Sequence, residues 1–173
     1  MGYDTDFSGE FELDKQLTPE HKKYLDDFSN TRRMGRSTDK LRDYSEGSLV
    51  TGLEDEVRRN AGLLSPGIEG EYYVGSTENM GQTKDEAIID FNRPPTTQPG
   101  LWCKWAPNHD GTTIIWTGEE KFYFYCEWIK YLINNFLEPW GYQVNGTVRW
   151  QGEDENDKGM IDIYDNIVVV SQE

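Results

Sequence analysis

The chain has 173 residues, with 17 Lys and Arg against 32 Asp and Glu, a formal net charge of −15. The length suits one domain. The charge argues against duplex nucleic acid and anionic membrane surfaces as direct ligands, because both are bound through cationic side chains. Low hydrophobicity with high net charge would suit a disordered chain, but aromatics make up 13% of the residues and include six Trp, enough to build a core.

Residues 3–13 alternate. Tyr3, Phe7, Phe11 and Leu13 fall on odd positions and Asp4, Asp6, Glu10, Glu12 and Asp14 on even ones. This period of two predicts a strand with one buried and one wet face, with Gly9 as a candidate bulge. Thr18-Pro19-Glu20 combines an N-cap, a proline at the first helical position and an early acid, and predicts a helix over 19–32. Residues 33–70 are poor in large apolar groups and read as a long loop or insert, with a short helix around 52–60.

Strand signals return at 71–74 and 87–91. Residues 101–105 and 112–116 flank Pro107-Asn108-His109-Asp110-Gly111, which has the turn chemistry of a hairpin. Phe122, Tyr125, Ile129, Leu132 and Phe136 step by three or four and predict a helix over 119–137, closed by Pro139 and Gly141. Glu119 and Glu120 would then face the positive end of its dipole. Val144, Gly146, Val148 and Trp150 alternate with polar residues as a further strand, and 160–170 is a last one, broken near Asp165-Asn166. The order β-α-loop-β-β-β-α-β-β predicts a single α+β domain over 1–173. Its sheet is mostly antiparallel, with two main helices on one face, and the plan is akin to a ferredoxin-like fold with additions.

Chemistry-bearing patterns are weak. The run from Asp154 to Asp165 has oxygen-bearing residues at calcium-loop spacing, but Lys158 occupies a ligand position and Asp165 is short for the closing one. A turn rich in Asp, Asn and Gly accounts for it. Cys103 and Cys126 are too few for a disulfide framework, and with His21 and His109 they form no paired-ligand zinc motif. No cofactor, metal or catalytic residue is expected. The N-terminal stretch lacks a basic start and an apolar run, so a cytoplasmic setting is expected.

The charge is uneven. Residues 1–20 carry −5 and 153–173 carry −6, while 21–60 carry +1 and hold a basic cluster. The acids of the first strand lie on one face, with alternate residues about 6.6–6.8 Å apart, comparable with successive phosphates along a nucleic-acid strand. If the first and last strands were neighbours, Asp4, Asp6, Glu10, Glu12, Glu153, Asp154, Glu155 and Asp157 would form a negative plate for a basic protein. The plate could equally serve solubility. Trp102 and Trp116 are the candidate aromatic anchors for a partner. Arg32, Arg33 and Arg36 could grip an anion beside the sheet, in an enzyme or a small-anion-binding protein, or could serve as solvated surface. In a homo-oligomer, the basic segment would instead dock on a neighbour's acidic termini.

A set of short motifs carries a resemblance: Gly81-Gln82; Ile88-Ile89-Asp90-Phe91-Asn92-Arg93-Pro94-Pro95; Gln98-Pro99-Gly100-Leu101-Trp102-Cys103; Gly118-Glu119-Glu120-Lys121-Phe122-Tyr123; Pro139-Trp140-Gly141; and Trp150-Gln151-Gly152-Glu153-Asp154. With Phe7-Ser8-Gly9 and Thr31-Arg32-Arg33, this pattern resembles a group of small acidic proteins from bacterial and phage genomes. The resemblance supplies no catalytic residues. A phage or mobile-element setting implies a non-enzymatic inhibitor of host defence, of the anti-CRISPR or antirestriction kind. It would present a DNA-mimicking face to a basic, nucleic-acid-binding host protein.

Overall fold

The computed structural model describes residues 2–45, 52–75, 78–82 and 86–173. The fold is α+β. The chain forms two compact units, Met1–Leu17 with Lys104–Glu173, and Thr18–Cys103. The 33–70 insert expected from sequence is part of the second unit, which begins earlier and ends later. Among the described residues no helix is long and apolar enough to cross a membrane.

The first unit is built on a six-stranded sheet in the order β4-β5-β1-β6-β7-β8. Its strands are β1 (Thr5–Leu13), β4 (Trp105–Pro107), β5 (Thr113–Trp116), β6 (Val144–Gly152), β7 (Lys158–Tyr164) and β8 (Ile167–Gln172). Every pairing is antiparallel. A ferredoxin-like plan sets a hairpin strand between two parallel strands, and here β5 lies between β1 and β4, with β6 on the other side of β1 and with β7 and β8 as additions at that edge. β1 pairs with β6 in one unbroken register, from Thr5 opposite Gly152 to Leu13 opposite Val144, so Gly9 is not a bulge. Gly9 (φ 101°) instead lets the strands close up, since a Cβ there would strike the Thr147 carbonyl oxygen.

Alternation sorts the side chains of this sheet. One face holds Phe11, Trp105, Ile114, Val144, Val148, Trp150, Ile161 and Ile163, all buried. Helix α4 (Tyr125–Leu132) covers it, its Trp128, Ile129 and Leu132 also buried. The helix starts later than expected, because the carbonyls at 119 and 120 serve other elements. Glu119 O accepts from Trp116 Nε1 (2.9 Å) and Glu120 O from the Thr5 N–H (2.9 Å). Phe124 then adopts φ 60°, which no helix interior allows. Glu119 and Glu120 therefore lie outside the helix, and Glu127 is the acid in its first turn. The helix ends in a wide turn, Ile133–Leu137, in which the Glu138 N–H reaches back five residues to Ile133 O (2.9 Å).

The second unit holds α1 (Pro19–Ser29), β2 (Gly35–Arg36), α2 (Thr38–Ser45), α3 (Gly52–Asn60) and β3 (Ile88–Asp90), with β2 and β3 paired. Of the two main helices placed on the sheet by sequence, only α4 belongs to the sheet's unit; α1 is built into the second. Thr18 caps α1 by accepting the His21 N–H at 3.2 Å, as its sequence required. The strand expected at 71–74 is a turn: the Tyr72 N–H goes to Pro66 O and the Tyr73 N–H to Gly70 O, both at 2.9 Å. The strand expected at 101–105 begins only at Trp105, since Leu101 O is taken by the Arg33 N–H (2.7 Å).

Candidate protein-binding face

The uncovered face of the sheet is where the acids of β1 emerge. Asp6, Glu10 and Glu12 are exposed, as their even positions require. Register sets their neighbours: Asp6 lies beside Gln151 and Lys158, Ser8 beside Arg149 and Met160, and Glu10 beside Thr147 and Asp162. The acidic row is therefore bordered by two cations. Arg149 Nη1 donates to the Glu173 carboxylate (2.6 Å), and Thr147 Oγ1 donates to Asp162 Oδ1 (2.5 Å). A shallow depression over the closely approaching strands is lined by Ser8, Thr147, Arg149, Met160, Asp162 and Tyr164.

The face is backed by an aromatic cluster. Phe7 meets Trp105, Trp116, Phe122 and Tyr125 at 5.0–5.7 Å between ring centroids. Tyr125 meets Trp150 at 5.5 Å. Trp116 is thus half-buried in the core-side cluster and does not project from the acidic face. Trp102 is half-buried in the second unit. The large exposed apolar groups are others, among them Tyr123, Phe124, Tyr164, Ile167 and Val169.

β1 and β8 are not neighbours, because β6 and β7 lie between them. The expected plate across the first and last strands does not form. The acids of 153–157 approach β1 by another route, since they sit in the β6–β7 turn beside the start of β1. There Tyr3 Oη donates to Asp157 Oδ2 (2.8 Å), Trp150 Nε1 donates to Asp157 Oδ1 (3.0 Å), and the Asp4 N–H donates to Glu153 Oε1 (2.7 Å). The Asp154 N–H, donated to Tyr3 Oη, favours the phenolate. The Asp157 carboxylate and desolvation outweigh it and hold the phenol above its ordinary range. Asp4, Glu153 and Asp157 therefore clasp turn to strand, and Asp154 and Glu155 are exposed.

The calcium-like spacing is spread along a hairpin. Asp154 and Asp165 lie beyond opposite ends of β7, a strand of seven residues, so they are about 20 Å apart or more and cannot share an ion. Among the described residues no three His, Cys, Asp or Glu gather as a metal site. Burial, then the neighbouring Glu127, pushes the Cys126 thiol up to about 11, so thiolate is scarce at neutral pH. Cys103 is fully buried and His109 is exposed.

The arginines do not form an open anion cradle. Arg33 and Arg36 are 2% and 1% exposed. Arg33 lies 4.0 Å over the Phe28 ring and donates from Nη2 to Glu71 O (2.8 Å). Arg36 lies 3.9 Å over the Tyr73 ring and donates from Nη2 to Gly81 O (2.7 Å). Arg58, 4% exposed, donates to Leu63 O (2.6 Å). Arg32, half-buried, donates from Nε to Phe91 O (3.0 Å). These guanidiniums organise the second unit around its own carbonyls and rings. The signal missed in the sequence was the aromatic partner of Arg33 and of Arg36: Phe28 and Tyr73 flank the arginine-rich stretch on either side.

No family model matches the chain, and no curated protein or solved structure matches it.

Proposed function

We propose that this protein is a non-enzymatic module that docks a basic protein partner on the open face of its sheet. The carrying observation is the row Asp6, Glu10 and Glu12, exposed on one face of a strand whose other face sets Phe7 into the aromatic cluster. Asp154 and Glu155 extend it at one end. A row of carboxylates at fixed spacing steers a cationic groove onto it at long range. The partner class is a nucleic-acid-binding protein, and an inhibitor of host defence is the role that the resemblance to small acidic phage proteins favours.

The test is retention of host proteins on the immobilised chain, challenged with heparin as a polyanionic competitor. A basic nucleic-acid-binding protein should be retained at low salt, released by heparin or high salt, and lost when Asp6, Glu10 and Glu12 are all changed to Lys. Retention of the same partner by that triple variant would sink the reading.

A further inference from the structure

The two edges of the sheet are finished differently. β4 is three residues long and ends in Pro107, a short edge carrying a residue that cannot donate to a ladder. β8 is Ile-Val-Val-Val-Ser-Gln, six residues with no charge and no proline. Its register with β7 runs unbroken from Tyr164 opposite Ile167 to Gly159 opposite Gln172, so no bulge turns it aside. Ile167 is 66% exposed, Val169 48% and Val170 42%, which places apolar surface on both faces of this edge. Such an edge is a template for another strand.

The hydrogen-bond phase of the edge follows from one contact. The Glu173 N–H donates to Lys158 O at 2.8 Å, so Glu173 and, by alternation, Ser171, Val169 and Ile167 turn their peptide groups toward β7. Val168, Val170 and Gln172 then turn theirs outward. Among the described residues no strand pairs with them.

We propose that β8 pairs antiparallel with β8 of a second copy, about a two-fold axis through Val170 and normal to the sheet. The axis must be normal to the sheet for matching faces to stay matched. Each outward-facing residue must then oppose another outward-facing residue, which the even positions satisfy. Val170 faces its own equivalent, Val168 faces Gln172, Val169 faces Ser171 and Ile167 faces Glu173. No carboxylate opposes a carboxylate. The register centred on Val169 would instead set Asp165 against Glu173, a like-charge pair that disfavours it.

The second copy is the occupant because the strand is self-complementary: valine meets valine, and the outward N–H and C=O groups meet without any other sequence. The chain carries −15, so copies repel one another, and least where they meet on an uncharged surface such as β8. Salt must therefore strengthen this association. It would weaken docking of a basic partner, so the two proposals fail independently.

Sedimentation velocity over a protein concentration series should show a monomer–dimer equilibrium that moves toward dimer as salt is raised. Val170→Lys should abolish the dimer while leaving the circular dichroism spectrum unchanged. Val170→Pro should do the same, since the lost N–H points away from β7. Equivalent Val170 Cα atoms would lie about 5.5 Å apart, within disulfide reach. Val170→Cys should thus give a disulfide-linked dimer on mild oxidation, with Val169→Cys and the parent chain remaining unlinked. A monomer at every concentration and salt, a dimer that survives both Val170→Lys and Val170→Pro, or equal linking through positions 169 and 170 would overturn the proposal.

Discussion

Replacing Arg36 by Ala separates two views of the basic segment. An arginine held ready for an anion sits near other cations with nothing to neutralise it, so truncating it should leave stability unchanged or raise it. The guanidinium of Arg36 instead lies 3.9 Å over the Tyr73 ring and donates to Gly81 O, in a residue only 1% exposed. A desolvated cation–π contact contributes about 2 kcal/mol. A charge-assisted hydrogen bond contributes about 1.5–3 kcal/mol. Each buried methylene of the stem adds about 0.8 kcal/mol. These contributions overlap and the site relaxes in part, so the expected loss is about 3–4 kcal/mol, within the range of large single-residue effects. For a chain of this length that lowers the midpoint of thermal unfolding by about 6–16 °C. Urea unfolding followed by circular dichroism measures it directly. Arg32→Ala is the control, expected to lose about 1 kcal/mol or less, because its bonds lie at the surface. Arg36→Lys should fall between, retaining the charge and losing the planar stack. If Arg36→Ala unfolds within about 1 kcal/mol of the parent, the guanidinium is not a structural element, and the anion-binding view returns.

Two further perturbations test other parts of the structure. Asp157→Ala removes the acceptor of both Trp150 Nε1 and Tyr3 Oη, and should lower stability by about 2–3 kcal/mol in denaturant titrations. Combined with Tyr3→Phe it should show a coupling of about 1 kcal/mol, and strict additivity would contradict the clasp. Asp27 is buried, and burial raises its pKa despite the partly compensating Lys23 at 2.9 Å. Its folded state therefore holds the proton more tightly than the unfolded one. The stability this contributes is full below about pH 4, the unfolded value, and is lost as pH rises through the folded pKa. Asp27→Asn should accordingly gain on the parent at pH 7 relative to its standing at pH 3. A variant whose disadvantage grows between pH 3 and pH 7 would refute the sign.

Local chemistry was legible in the chain wherever a single segment decided the outcome. The alternation at 3–13 specified which face of β1 is wet, because side chains on a strand point to opposite sides regardless of what the strand pairs with. Thr18-Pro19 specified where α1 starts, and the break at Asp165-Asn166 became the turn between β7 and β8. Pairing decided the rest. Nothing in 119–124 reveals that Thr5 and Trp116 take its carbonyls and postpone α4 to Tyr125. Nothing in the count of arginines reveals that Phe28 and Tyr73 stack beneath two of them. The charge total of −15, and even its concentration at the two ends of the chain, left open whether those ends meet. Strand order answered it: β8 stands at the far edge of the sheet, and the acids of 153–157 reach β1 through the β6–β7 turn. Composition and periodicity are properties of neighbouring residues along the chain. Which faces meet and which edge stays open depend on contacts between segments distant in the chain, those of β1 with β5 and β6 a hundred or more positions apart, and only the folded chain brings these together.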